Sequence, residues 1–190
     1  CTLPIVNDCA TDHSRPSFAQ KGNTYMYLRD IVPTIENGFG ATDQFQYFGL
    51  ASGYRPAILS ARVDLDHFNP VHVALDGEFV WNTAFNRRHI ESVAVNNLSG
   101  DGSNRYEGGN IGWMTKLTVG HRELNEFGKW SVNVGYKYLE SDATLDAFAD
   151  SDFGLGGTNL KGYFLGADLA LSQSVSASAK WMSANSIAGA

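Results

Sequence analysis

From residue 55 onward the chain alternates apolar and polar residues with a period of two, the pattern of half-buried strands. Six runs carry it: 59–66, 71–82, 113–122, 129–139, 161–171 and 175–182. They are eight to twelve residues long. Strands of globular proteins usually have about 5–6 residues, whereas a tilted strand needs about 9–11 to cross a bilayer. On one face of these runs (59–65, 71–81, 113–119, 130–138, 163–171 and 175–181, each by twos) no Asp, Glu, Lys or Arg occurs, although charged residues make up 18% of the chain. The opposite face carries Arg62, Asp64, Asp66, Asp76, Glu78, Lys116, Arg122, Lys137, Asp168 and Lys180. A soluble sandwich would also segregate its faces, so alternation alone does not point to a membrane.

Two further features do. Aromatic residues of the uncharged face gather at run ends: Phe79 and Trp81 close the second run, Trp113 opens the third, Trp130 opens the fourth, Tyr136 and Tyr138 close it, and Trp181 closes the sixth. Amphipathic rings at headgroup level form such girdles in membrane barrels. Connections also alternate: 67–70 is a tight turn, 83–112 is long, 123–128 short, 141–160 long and 172–174 short. Short turns on one rim and long loops on the other are the outer-membrane pattern. Upstream, residues 1–22 read as an irregular segment, and 23–29 and 44–51 as two more strands whose connections break the alternation.

Composition removes other classes. No apolar run approaches the roughly 18–20 residues of a membrane helix. A net charge of -6 offers little to neutralise a phosphate backbone, so no nucleic-acid partner is expected. With 43% hydrophobic residues the chain is not a disordered tail. The opening residues contain no basic stretch leading into an apolar core, so any secretory signal is expected to lie outside this sequence. Both cysteines, Cys1 and Cys9, stand at the N-terminus, where a disulfide of an oxidising compartment and a lipidated Cys1 are both open readings.

Candidate chemistry is thin. Asp150, Asp152 and Gly154 are a fragment of a calcium loop without its later Glu, and the glycines that follow lack a phosphate-loop Lys, so 142–157 reads as an acidic, Gly-hinged loop with one helical turn at 145–148. Asp64, Asp66 and His72 share the polar face around one hairpin turn and have metal-ligand chemistry, but His67 points the other way and the carboxylates can simply face water. Asp12–His13–Ser14 places triad residue types side by side without triad geometry, and no G-x-S-x-G elbow occurs. No catalytic residue, metal or cofactor is expected.

The segments 18–24 (FAQKGNT), 48–52 (FGLAS), 61–64 (ARVD), and above all 138–142 (YLESD), 146–159 (DAFADSDFGLGGTN) and 161–163 (KGY) resemble the bacterial "putative porin" proteins of the outer membrane. The resemblance runs over most of 17–189 and is to the C-terminal part of longer family members. It implies an outer-membrane β-barrel that passes small solutes and carries no catalytic residues. The chain stops at Ala190 without a returning strand and terminal aromatic, so a fragment is expected.

The expected fold is therefore all-β: an antiparallel transmembrane β-barrel, or the C-terminal portion of a larger one, over 23–190. The expected function is passive diffusion of small solutes or ions through a lumen lined by the ten charged residues named above. The expected partners are outer-membrane lipid and those solutes, with self-association into a homo-oligomer open. The competing classes are a soluble secreted β-sandwich that binds through its loops, and a non-conducting structural barrel.

Overall fold

A computed structural model describes residues 22–27 and 48–189. Its main element is a six-stranded antiparallel meander: β3 (Pro56–Leu65), β4 (His72–Asn82), β5 (Ile111–Gly120), β6 (Trp130–Leu139), β7 (Leu160–Ala170) and β8 (Ser176–Ser186), each paired only with its sequence neighbours. β1 (Tyr25–Tyr27) and β2 (Phe48–Leu50) form a separate two-stranded ladder rather than joining the meander. All six expected runs are strands, and the alternation of short and long connections holds. β3 and β8 are the edges, and no pairing among the described residues joins them.

The ladder register shows that the six runs share their faces. Val63 pairs with Leu75, Leu75 with Leu117, Leu117 with Val134, Val134 with Leu165 and Leu165 with Trp181. One row on, Arg62 pairs with Asp76, Asp76 with Lys116, Lys116 with Gly135, Gly135 with Phe164 and Phe164 with Met182. Directly opposed residues point to the same side of a sheet, so these rows make one continuous apolar face and one charged face. Gly135 has a steric reason: a Cβ there would run into the Phe164 ring, which lies over it on the charged face.

Two strands run longer than their pattern. β3 begins at Pro56, ahead of the expected start at 59, and β8 continues to Ser186, past 182. At the start of β3 Ala57, Ile58 and Leu59 are apolar on both faces, Ile58 heading the charged-face row Ile58, Val80, Gly112, Leu139 and Leu160, so no period-two signal marks that end. The tail of β8 is a run of small residues with no contrast to read.

Few residues of the meander are buried; the interior lies in the long connections at one end. A helix, α1 (Arg87–Val93), occupies the first long connection, where sequence reading expected only a loop. Asn86 caps it by accepting from the His89 N–H, and Ile90 is its buried residue. Ile90, Tyr106 and Ala51 form a small apolar cluster against Phe85, Val93 and Met26. A 3-10 turn at Asp146–Phe148 matches the expected helical turn, and a second follows at Phe153–Leu155. The stretch 142–157 is not a plain solvated loop, because Asp142, Ala143, Asp146 and Phe153 are buried. The expected irregular segment 1–22, the cysteines and Asp12–Ser14 lie outside the described residues, apart from Gly22.

Candidate functional site: the charged face and the knot at its rim

The charged face is an ordered network. Asp76 lies between two cations, 3.2 Å from Arg62 Nη1 and 3.4 Å from Lys116 Nζ. Arg122 Nη2 reaches Asp64 at 3.0 Å and Asp66 at 2.6 Å, and His72 Nδ1 lies 2.7 Å from Asp66. Asp168 accepts from Ser131 Oγ at 3.3 Å and Ser178 Oγ at 2.6 Å, spanning three strands. Lys180 meets Asp152 of the second long connection at 3.6 Å, and the Lys137 ammonium lies 5.2 Å from the centre of the Phe153 ring. All ten charged residues expected on this side are therefore found there, Asp66 and Arg122 just beyond the ends of their strands.

The structure does bring Asp64, Asp66 and His72 together, with ligand atoms within 4.8 Å of one another. The Arg122 guanidinium already bridges the two carboxylates, which gives the cluster its own counter-charge. His67 stacks edge-on against Phe68 instead, with ring centroids 5.2 Å apart.

On the apolar face Phe79, Trp113 and Tyr138 form one cross-strand row at the long-connection end, with Trp81 beyond it and Tyr136 one row inward. Trp113 stacks on Tyr138 at 6.1 Å and lies 5.4 Å from Tyr136. Tyr163, absent from the expected set, extends this belt: it pairs with Tyr136, ring edge to face, at 4.7 Å. Its signal was its position opposite Tyr136, which only the register reveals. Trp130 stands at the short-turn end, its ring 6.0 Å from His121. Trp181 is the exception. Because β8 runs on to Ser186, Trp181 sits opposite Leu165 at mid-height rather than at the strand end.

Sequence reading missed the structure's main polar feature. Asp142 is fully buried, and its carboxylate accepts from Thr24 N–H at 2.9 Å, Tyr54 Oη at 2.9 Å, Tyr106 Oη at 2.8 Å, Ser141 Oγ at 2.8 Å and the Thr24 hydroxyl. Among the described residues no cation pairs with it. The charge is solvated entirely by hydroxyls and an amide, which is how a buried carboxylate remains tolerable without a counter-ion.

Buried asparagines tie loop backbones around it. Asn23 donates to the Ser141 carbonyl at 2.6 Å and accepts from the Asp146 N–H at 2.8 Å. Asn82 donates to the carbonyls of Gly53 and Asp142, and Asn159 both donates to the Ala188 carbonyl and accepts from its N–H. A side-chain amide offers a donor and an acceptor like a peptide unit, so it satisfies backbone groups that have no strand partner. Residues 22–24, 48–52 and 138–159, far apart in sequence, meet here through Asn23, Thr24, Ser52, Ser141, Asp142 and Asn159.

Burial, and after it the Asp142 carboxylate, push the phenols of Tyr54 and Tyr106 above their ordinary value of 10.0. Folding thus favours the neutral phenols. Their contribution is complete below pH 10 and is lost as the pH climbs beyond it, because the unfolded chain releases its protons first. Denaturant titrations should show stability falling above about pH 10. The Tyr54→Phe/Tyr106→Phe variant should show a flatter decline; an unchanged slope would remove these phenols from the linkage.

Sheet and knot together define an all-β antiparallel protein with one charged face, one apolar face and its loop interior at a single end. A family model described as "Putative porin" matches residues 2–190, and the chain belongs to that family. No curated protein and no solved structure matches it.

Proposed function

We propose that the chain forms channel wall in the bacterial outer membrane, with its charged face toward water, its apolar face toward lipid, and small solutes or ions diffusing passively along the charged face. The observation that carries this reading is the register, which collects every strand charge except Lys161 on one side of six consecutive long strands, with a belt of aromatic rings, Lys161 at its edge, at one end of the other side. Family membership supports it. So does the second long connection, which leans over the charged face through Lys180–Asp152 and Lys137–Phe153 and would narrow the passage. The six strands with open edges would be part of a closed barrel, since lipid does not tolerate an unpaired edge.

Reconstitution of the folded full chain into planar bilayers tests this directly. Stepwise, voltage-independent conductance is expected; its absence from protein shown to be folded would overturn the reading.

Ion preference should follow the face. Asp76 holds both Arg62 and Lys116, so Asp76→Asn combined with Glu78→Gln removes two negative charges, releases Lys116 and leaves Arg62 with Asp64 alone at 3.8 Å. Reversal potentials should move toward anion preference. The shift should shrink as salt rises, because the screening length falls from about 30 Å at 0.01 M to about 3 Å at 1 M. A preference that ignores the double substitution at every salt concentration would show that these residues do not line the path.

A further inference from the structure

Beneath the second long connection lies a pocket of about 550 Å³, open to the charged face. Its walls are largely apolar, made by Leu139, Phe148, Phe153, Phe164 and Met182. Three lysines also line it, and two of them are neutralised from just outside: Lys116 by Asp76 at 3.4 Å and Lys180 by Asp152 at 3.6 Å. Lys137 differs. Among the described residues no carboxylate lies within ion-pair distance of its ammonium. The carboxylate of Glu78, also a lining residue, accepts no hydrogen bond and joins no ion pair among the described residues.

These two charges, which attract one another without forming a direct ion pair, occupy one cross-strand row, since Glu78 pairs with Met114 and Met114 with Lys137. One intervening strand keeps their backbones roughly 10 Å apart, from a strand spacing of about 4.8 Å. The long side chains therefore offer an anion and a cation on either side of a gap, under a ceiling of phenylalanine rings. A small monovalent anion would meet Lys137 but also the carboxylates of Glu78 and Asp150, which act on that lysine from a distance; a monovalent cation would meet the reverse conflict. A zwitterion satisfies both groups.

We propose that this pocket is a subsite for small zwitterions with an apolar body, the chemistry of an α-amino acid with a large hydrophobic side chain. Its carboxylate lies toward Lys137, its ammonium toward Glu78, and its side chain among Phe148, Phe153 and Phe164. The proposal rests on the channel reading for its place on a solute path, but binding can be read without conductance.

The test uses the folded full chain in lipid nanodiscs with three probes of matched shape: L-phenylalanine, phenylacetate and phenethylamine. Saturation-transfer NMR should show L-phenylalanine binding at least tenfold more tightly than either singly charged probe. Lys137→Met should abolish its advantage over phenethylamine, Glu78→Gln should abolish its advantage over phenylacetate, and Lys137→Arg should keep both. Circular dichroism and gel migration before boiling would establish that each variant is folded. Equal binding of the three probes, or no binding by folded wild-type protein, would overturn the subsite. Conductance without zwitterion preference would sink the subsite alone, whereas zwitterion binding without conductance would sink the channel reading and leave the subsite standing.

Discussion

Asp142→Ala should destabilise the chain by roughly 3–5 kcal/mol, since several buried donors lose their acceptor at once and each left unsatisfied costs about 1–3 kcal/mol. The substitution leaves the hydroxyls of Thr24, Tyr54, Tyr106 and Ser141 and the Thr24 N–H without their common acceptor in a site from which water is excluded. Asp142→Asn keeps the shape but replaces one of two acceptor oxygens with a donor aimed at donors, so it should cost about half as much. Urea titration of the protein in micelles reads both values. Because Asp142 precedes the stretch that leans over the charged face, protease cleavage within 143–157 should also speed up in the alanine variant. A loss below about 1 kcal/mol, the size of one ordinary hydrogen bond, would mean that this network does not hold the long connections together.

Val134→Arg should cost about 2–4 kcal/mol when folding is measured in lipid vesicles, because the guanidinium would stand near mid-height on the face proposed to meet acyl chains. Val134 pairs with Leu117 on one side and Leu165 on the other, and Val73→Arg, nearer the short-turn rim, should cost less. Lys116→Ser, on the opposite face, removes one of two cations from Asp76 and should cost no more than about 1 kcal/mol, as for other partly exposed ion pairs. The comparison is internal to one protein and one bilayer. Equal intolerance on the two faces would indicate a sheet buried on both sides and would overturn the lipid-facing assignment.

Alternation made the strands legible wherever their two faces met different surroundings. Arg62, Asp76 and Lys116 could be placed on one side from spacing alone, and the register then set them opposite one another. Where both faces were apolar, at Ala57 and Ile58, the same reasoning lost the start of β3. It also misplaced Trp181, since small residues such as Ser183 and Ala184 give no contrast to mark a boundary. Helix α1 escaped because seven residues with one buried side chain leave no readable period.

The meander could be read from the chain alone in the place and face of each strand, the order of short and long connections and the identity of the charged side chains, because each depends on neighbours two residues away or on the next turn. The knot around Asp142 was decided only in three dimensions. Its donors come from residues 24, 54, 106 and 141, and nothing local distinguishes a buried Asp or Asn from one in a solvated loop. Polar residues in a loop favour exposure when considered singly. They become an interior only when several distant segments converge and satisfy one another's hydrogen bonds, a balance set by the whole set of partners rather than by any stretch of chain.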